Sequence, residues 1–382
     1  MFQNGYSPTG IPSTILIHKT PVIPVTHLPG FCVPSDAYGP FAKGLEERCR
    51  GRISVTVVET KEWSIEENVS SIAQYMKRAM DIIRANDAEK GVLTGHSFGA
   101  FLAFLLAQMK ESLDDQRSYG AFKSYMTTID QAHEREDYGR YIDDLASSVQ
   151  YLDARRLVLL NPLLKNNLNT TLTRIKSGGE RVGSVAAAKA SYYMAKMRYM
   201  VELGFSKAGQ AGMPSEIAVG PPSSDFSPVQ EISLVNRILP LIGNAFYSGN
   251  DVPNIPPDSD SLIIVAKKDG YCPPSSKTHP DALDNLLEQF DGKVTALDYT
   301  TGNHSSGYRQ NLDILALFLS GNPRAFEARM EELAAAERVG KGNGKSKPGS
   351  EIKIIKREGA PPRFPVPWPE KMPYFGRAGI AL

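Results

Sequence analysis

Residues Gly91–Ala100 read GVLTGHSFGA, with Ser97 between Gly95 and Gly99 in the pattern G-x-S-x-G. The pattern is short, and at ordinary glycine and serine usage roughly one chain in eight of this length carries it by accident. Its setting therefore decides what Ser97 is. Gly91–Thr94 reads as a strand, and Ala100–Leu106 (AFLAFLL) starts a very apolar helix. A serine at such a turn is presented above a sheet edge, with a backbone so strained and crowded that glycine is favoured two positions to either side. The amide of Phe98 then opens the helix and points to where an oxyanion would form. The competing reading is an ordinary turn with a helix-capping serine, which needs no partner residues downstream.

The flanking sequence alternates strand and helix. TILIH (14–18) and VIPVT (22–26) are short β-type runs, followed by the Gly/Pro-rich turn HLPGFCVPSDAYGP. Phe41, Leu45 and Cys49 recur at helical spacing, and ISVTVVET (53–60) reads as a buried strand. Ser64 with Glu67 has the capping-box arrangement and predicts a helix to about Arg84, with Val69, Ile72, Met76, Met80 and Ile83 on one face. Further strands are expected at 156–160, 262–266 and 294–299, with helices at 281–290 and 308–319. This order implies an α/β fold, a mostly parallel sheet with helices on both faces.

The expected core spans 1–162 and 256–320, interrupted by a polar helical excursion over 111–154 and by a large helical cap over 163–255. Residues 321–382 read as a charged helix, a Gly/Lys/Ser linker and an extended proline-rich tail. The tail beyond Gly340 is expected to be dispensable for catalysis. Its aromatics Phe364, Trp368, Tyr374 and Phe375 could anchor it to the core, to a partner or to a second subunit.

Composition narrows the function. The 382 residues are 41% hydrophobic and 22% charged with a net charge of +1, so no overall field favours nucleic acid or an anionic membrane. Cys32, Cys49 and Cys272 cannot all pair within the chain and read as free thiols in a reducing compartment. No signal peptide or membrane span is expected, which makes a cytoplasmic location the default. No metal-ligand cluster or phosphate-cradling glycine loop is read, so neither a metal nor another cofactor is expected.

GVLTGHSFGAFLAFLLA resembles the nucleophile elbow of the α/β-hydrolase superfamily. HLPGFCVPSDAYGPF resembles its first oxyanion loop, LIIVAKKDGYCPP the strand and turn that carry its acid, and TGNHSSGY its histidine loop. RRLVLLNP is similar to the strand after the elbow helix. The likeness covers roughly 14–110, 155–162 and 260–320, without the cap or the tail.

The resemblance implies the order serine, acid, histidine, with the histidine after the last strand. Of six histidines, only His279 and His304 follow the candidate acid, and His279 precedes the last strand. The implied triad is thus Ser97, Asp269 and His304, with Asp298 as the rival acid. The implied oxyanion donors are the amides of Phe98 and Phe31, with Cys32 the alternative to Phe31, because His27-Leu28-Pro29-Gly30 departs from the commoner His-Gly pair. His27 and His96 read as packing residues. In the cap, Tyr193, Met197 and Met200 share one helical face that either packs on the core or forms an adaptable wall for an acyl chain. The implied activity is hydrolysis of a carboxylic ester or thioester through an acyl-serine. An acyltransferase and a non-catalytic binding protein are the alternatives, and the last is disfavoured because every triad position is filled.

Overall fold

The computed structural model describes residues 22–30, 35–59, 69, 71–130, 132, 137–162, 259–267, 282–299, 311–342 and 352–357. The cap over 163–255 and the expected strand TILIH lie outside them. In chain order the elements are β1 (Ile23–Leu28), a 3-10 turn (Ser35–Tyr38), α1 (Gly39–Arg48), β2 (Ile53–Val57), α2 (Ile72–Ala85), β3 (Val92–His96) and α3 (Phe98–Ser112). They continue as α4 (Gln116–Ile129), α5 (Tyr138–Val149), β4 (Arg156–Leu160), β5 (Asp260–Ala266), α6 (Ala282–Leu287), β6 (Lys293–Tyr299), α7 (Leu312–Leu319), α8 (Pro323–Gly342) and β7 (Ile352–Arg357).

The strands form one sheet in the order β2-β1-β3-β4-β5-β6-β7. Every neighbouring pair is parallel except β6 and β7. Strand side chains alternate between two cores, as a two-residue period requires. Leu93, Leu157, Leu159, Ile263, Val265 and Ala296 join one with α2 to α6, whereas Val92, Val158, Leu160, Leu262, Ile264 and Leu297 join the other with α1, α7 and α8. The sheet is therefore covered on both faces.

Helix α3 is apolar all round because it is buried all round. It rests on β1, β3 and β4 and is covered by α2, α4 and α5. Those last two helices are the excursion that a minimal sheet does not need, yet Phe122, Met126, Ile129, Ile142, Leu145 and Val149 are fully buried in the same core. They are layers of the fold, joined to it by a buried carboxylate. Asp130, at the end of α4, accepts the Ile72 and Ala73 amides of α2 at 2.6 and 3.0 Å and the Tyr138 hydroxyl of α5 at 2.6 Å.

Three expectations are corrected. Helix α2 begins after Ser71, with Val69 outside it; Ser71 has an extended backbone (φ −138, ψ 154) and its side chain forms a reciprocal capping box with Gln74, whereas Ser64 and Glu67 lie outside the described residues. Strand β2 is only half-buried beyond Ile53, because it is an edge strand. The segment read as linker and tail supplies β7, paired antiparallel to β6 from Val294↔Arg357 to Tyr299↔Ile352. Glu327 of α8 ties it down by ion pairs to Lys293 and Lys356. The helix also runs through Gly340 to Gly342.

Two outcomes follow. Truncation after Gly342 uncovers the β6 edge and is expected to lower the melting temperature by several degrees; an unchanged melting curve would show that β7 is not held. Asp130→Ala leaves the two buried amides of Ile72 and Ala73 without their side-chain acceptor, while the Tyr138 hydroxyl keeps the Met126 carbonyl at 3.1 Å, and is expected to cost about 3 kcal/mol in urea unfolding.

Candidate active site

Ser97 lies between the end of β3 and the start of α3 with φ 56 and ψ −116, a conformation that side chains rarely adopt. Holding a non-glycine residue there costs on the order of 1–3 kcal/mol. Close backbone packing enforces it. A Cβ on Gly95 would lie 2.3 Å from the Gly99 carbonyl oxygen, and one on Gly99 would lie 1.9 Å from the Leu28 carbonyl oxygen. The turn is pinned at both ends, since the Ser97 amide donates to the Leu160 carbonyl at 2.9 Å and the Phe101 amide to the Ser97 carbonyl at 3.2 Å.

The capping reading of Ser97 fails on a direct comparison. Ser71 accepts a hydrogen bond from the first turn of its helix, whereas the Ser97 side chain makes no capping bond to α3. The Phe98 amide belongs to that first turn, where amides lack intrahelical acceptors and the helix dipole favours negative charge. The Phe98 ring faces the core, edge-on to Tyr75 at 5.2 Å.

The end of β1 passes beside the elbow. A Cβ on Gly30 would lie 3.5 Å from the Ser97 Cβ, in van der Waals contact, so Gly30 lies one methyl group away from the serine. The Gly30 amide donates to the Tyr38 hydroxyl at 3.0 Å, and that hydroxyl pairs with His96 Nδ1 at 2.7 Å. The His27 ring lies tilted against Tyr38, centroids 4.7 Å apart, with Nδ1 2.8 Å from the Thr94 hydroxyl, which itself donates to the Thr26 carbonyl. All four side chains are buried. His27 and His96 are thus packing residues, as expected, and hydrogen-bonded ones. Sequence reasoning missed Tyr38 and Thr94. Thr94 stands out only as a threonine in the apolar run Gly91–Gly95, and Tyr38, in the polar turn SDAYGP, carries no signal.

Burial lowers the His27 imidazole from the ordinary 6.5 to about 3, so the ring stays neutral. The Asp298 carboxyl is held above the usual carboxylate range by burial, opposed by Lys267 and Lys353, and one of its oxygens has no hydrogen-bond partner. It lies within β6, opposite Val265 and Lys353.

Asp269, His304, Phe31, Cys32, Tyr193, Met197 and Met200 lie outside the described residues. The strand ends that lead to the triad candidates are described. Lys267, just past β5, donates its amide to the Tyr299 carbonyl at the end of β6 at 2.6 Å. Among the described residues, no group of three or more histidine, cysteine, aspartate or glutamate side chains is placed to hold a metal, and no helix is long and apolar enough to cross a membrane.

No family model and no curated protein matches the chain. Solved structures similar to it include a thioesterase of the prodiginine biosynthetic pathway from Streptomyces coelicolor, at 12% identity over 78% of this chain and 85% of that one with a TM-score of 0.42. An epoxide hydrolase from Bacillus megaterium is 13% identical over 78% of this chain and 93% of its own, TM-score 0.42. An enol-lactonase from Burkholderia xenovorans is 12% identical over 78% and 92%, TM-score 0.43. Likeness at this level says nothing about chemistry. The sheet order, the parallel strands and the elbow of this chain are themselves those of an α/β-hydrolase fold.

The His27 shift sets a pH dependence of stability. Between the ordinary value and about 3, the unfolded chain binds a proton that the folded one refuses, so stability falls as pH falls. The slope is about 1.4 kcal/mol per pH unit, or roughly 2 kcal/mol from pH 7 to pH 5. His27→Asn removes this contribution; urea midpoints of the variant are expected to vary less over that range than those of the natural protein.

Proposed function

We propose that the chain is a serine hydrolase that cleaves a carboxylic ester or thioester through an acyl-serine intermediate. One observation carries the reading. Ser97 is a strained, non-capping serine on a strand-to-helix turn, with glycines two positions to either side that no larger residue could replace.

In the proposed reaction the Ser97 hydroxyl attacks the carbonyl carbon while His304 takes its proton. Asp269 accepts the Nδ1–H of His304 and holds the tautomer that can act as base. The amides of Phe98 and Phe31 receive the negative charge on the carbonyl oxygen. Collapse of the tetrahedral intermediate expels the alcohol or thiol, protonated by His304. Water activated by the same histidine then releases the acid and restores Ser97.

Sheet topology supports the partners. The ends of β1, β3, β5 and β6 leave one edge of a parallel array, and neighbouring strands are about 4.8 Å apart. Asp269 follows β5 and His304 follows β6 within a few residues each, a reach of up to about 3.3 Å per residue. Tyr193, Met197 and Met200 are proposed as an apolar wall for the acyl chain. The reading needs no cofactor.

A fluorophosphonate probe tests it. The natural protein is expected to label at Ser97, and Ser97→Ala to abolish labelling and lower kcat by several orders of magnitude with the folded spectrum intact. His304→Ala should do comparable harm and the double variant little more, because the two groups serve one proton transfer. Asp269→Asn should cost somewhat less; if it is silent while Asp298→Asn cripples the enzyme, the acid is Asp298. Product analysis with an added alcohol or amine separates hydrolysis from acyl transfer. Full activity in Ser97→Ala would remove the proposed function.

A further inference from the structure

We propose that Tyr38 is a positioning residue for the acyl transfer, its hydroxyl locking the backbone at Gly30 and the ring of His96 into one unit against Ser97. The inference rests on the serine-hydrolase reading and extends it to a residue that never meets the substrate.

Three contacts carry it. The Tyr38 side chain is 1% exposed, so its hydroxyl must be satisfied inside the protein. It takes the Gly30 amide, eight residues back along the chain, and His96 Nδ1, in the residue directly before the nucleophile. Gly30 in turn lies beside the elbow with no room for a side chain, since a Cβ there would lie 3.2 Å from His96 Nδ1 and 3.5 Å from the Ser97 Cβ. A phenol has one proton and two acceptor sites, which lets it accept the amide and still share its proton with the imidazole. Through the phenol, the chain just past β1 is tied to the last residue of β3, next to the serine. His27, hydrogen-bonded to Thr94, packs its ring at a tilt against the phenol.

By chain connectivity the Gly30 carbonyl shares a peptide plane with the Phe31 amide, the proposed second oxyanion donor. Holding Gly30 against Ser97 therefore sets where that amide starts from. A misplacement of about 1 Å in such a donor can cost a hundredfold in rate. A hydroxyl that only stabilised the fold would change the melting temperature and leave the chemistry of folded molecules alone.

Tyr38→Phe keeps the ring and removes only the hydroxyl. With a short p-nitrophenyl ester, it is expected to lower kcat by about ten- to a hundredfold with KM within about twofold, and to slow fluorophosphonate labelling of Ser97 in proportion. His96→Leu breaks the same unit from the other side and decides the matter if Tyr38→Phe does not fold. Where both fold, the double variant should be no slower than the worse single one. Unchanged kcat and labelling in the folded variants, or losses that multiply in the double variant, would overturn the proposal and leave the hydrolase reading intact. Absence of labelling and esterase activity in the natural protein would overturn both.

Discussion

The structure depends on one close approach of backbone to backbone. The first turn of α3 lies so near the end of β1 that a methyl group on Gly99 would occupy the space of the Leu28 carbonyl oxygen. Because α3 cannot withdraw from β1, the chain leaving β3 must turn within a single residue, and Ser97 takes the positive φ that results. Two glycines and one strained serine are thus a single geometric requirement. The same approach leaves Gly30 beside the serine, within one methyl group of its Cβ.

Beneath this contact the core is not uniformly apolar. His27 and Thr94 form one hydrogen-bonded pair, Tyr38 and His96 another, on the sheet face shared with Phe41 and Val92. Buried polar groups of this kind are costly unless paired, and a pair with directional bonds permits fewer arrangements than an oily contact. They occur where β1 and β3 must be held in a fixed relation; elsewhere in the same core a buried Tyr299–Asn311 bond holds the start of α7, and most of the remaining packing is aliphatic and aromatic. Neutrality of His27 is part of the arrangement, since a charged imidazole there would have no counter-ion among its hydrogen-bond partners.

Much of this was legible in the sequence, for reasons that differ by element. The strands β3, β4, β5 and β6 are short apolar runs because parallel strands buried on both faces have no polar side to show. The elbow was legible because glycine is the only residue its geometry admits at Gly95 and Gly99. The start of α2 was placed too early because Ser71 with Gln74 fits the same local pattern as Ser64 with Glu67, and sequence alone does not say which pair opens the helix that carries Met76 and Met80. In the fold the Asp130 carboxylate caps Ile72 and Ala73 from fifty-eight and fifty-seven residues away. Strand β7 was missed because Ile352, Ile354 and Ile355 among lysines make a weak pattern inside a polar tail, and an edge strand needs no more than half a face of apolar residues. The Tyr38–His96 bond could not be read at all, since nothing local relates two residues fifty-eight positions apart.

The strain at Ser97 and the burial of α3 are two sides of one balance. A positive φ at a serine costs on the order of 1–3 kcal/mol, and an isolated turn would relax it. Helix α3 prevents relaxation, because Phe98, Leu102, Leu105 and Leu106 are fully buried and each contributes roughly 1.5–3 kcal/mol that would be lost if the helix shifted. The burial exceeds the strain severalfold, so the serine is held in a conformation that its own preferences oppose. Helices α4 and α5 belong to the same balance: they cover the outer side of α3, and without them its apolar side chains would face water. The segment between β3 and β4 is therefore what keeps the turn at Ser97 from opening, through packing that lies on the far side of the helix from the sheet.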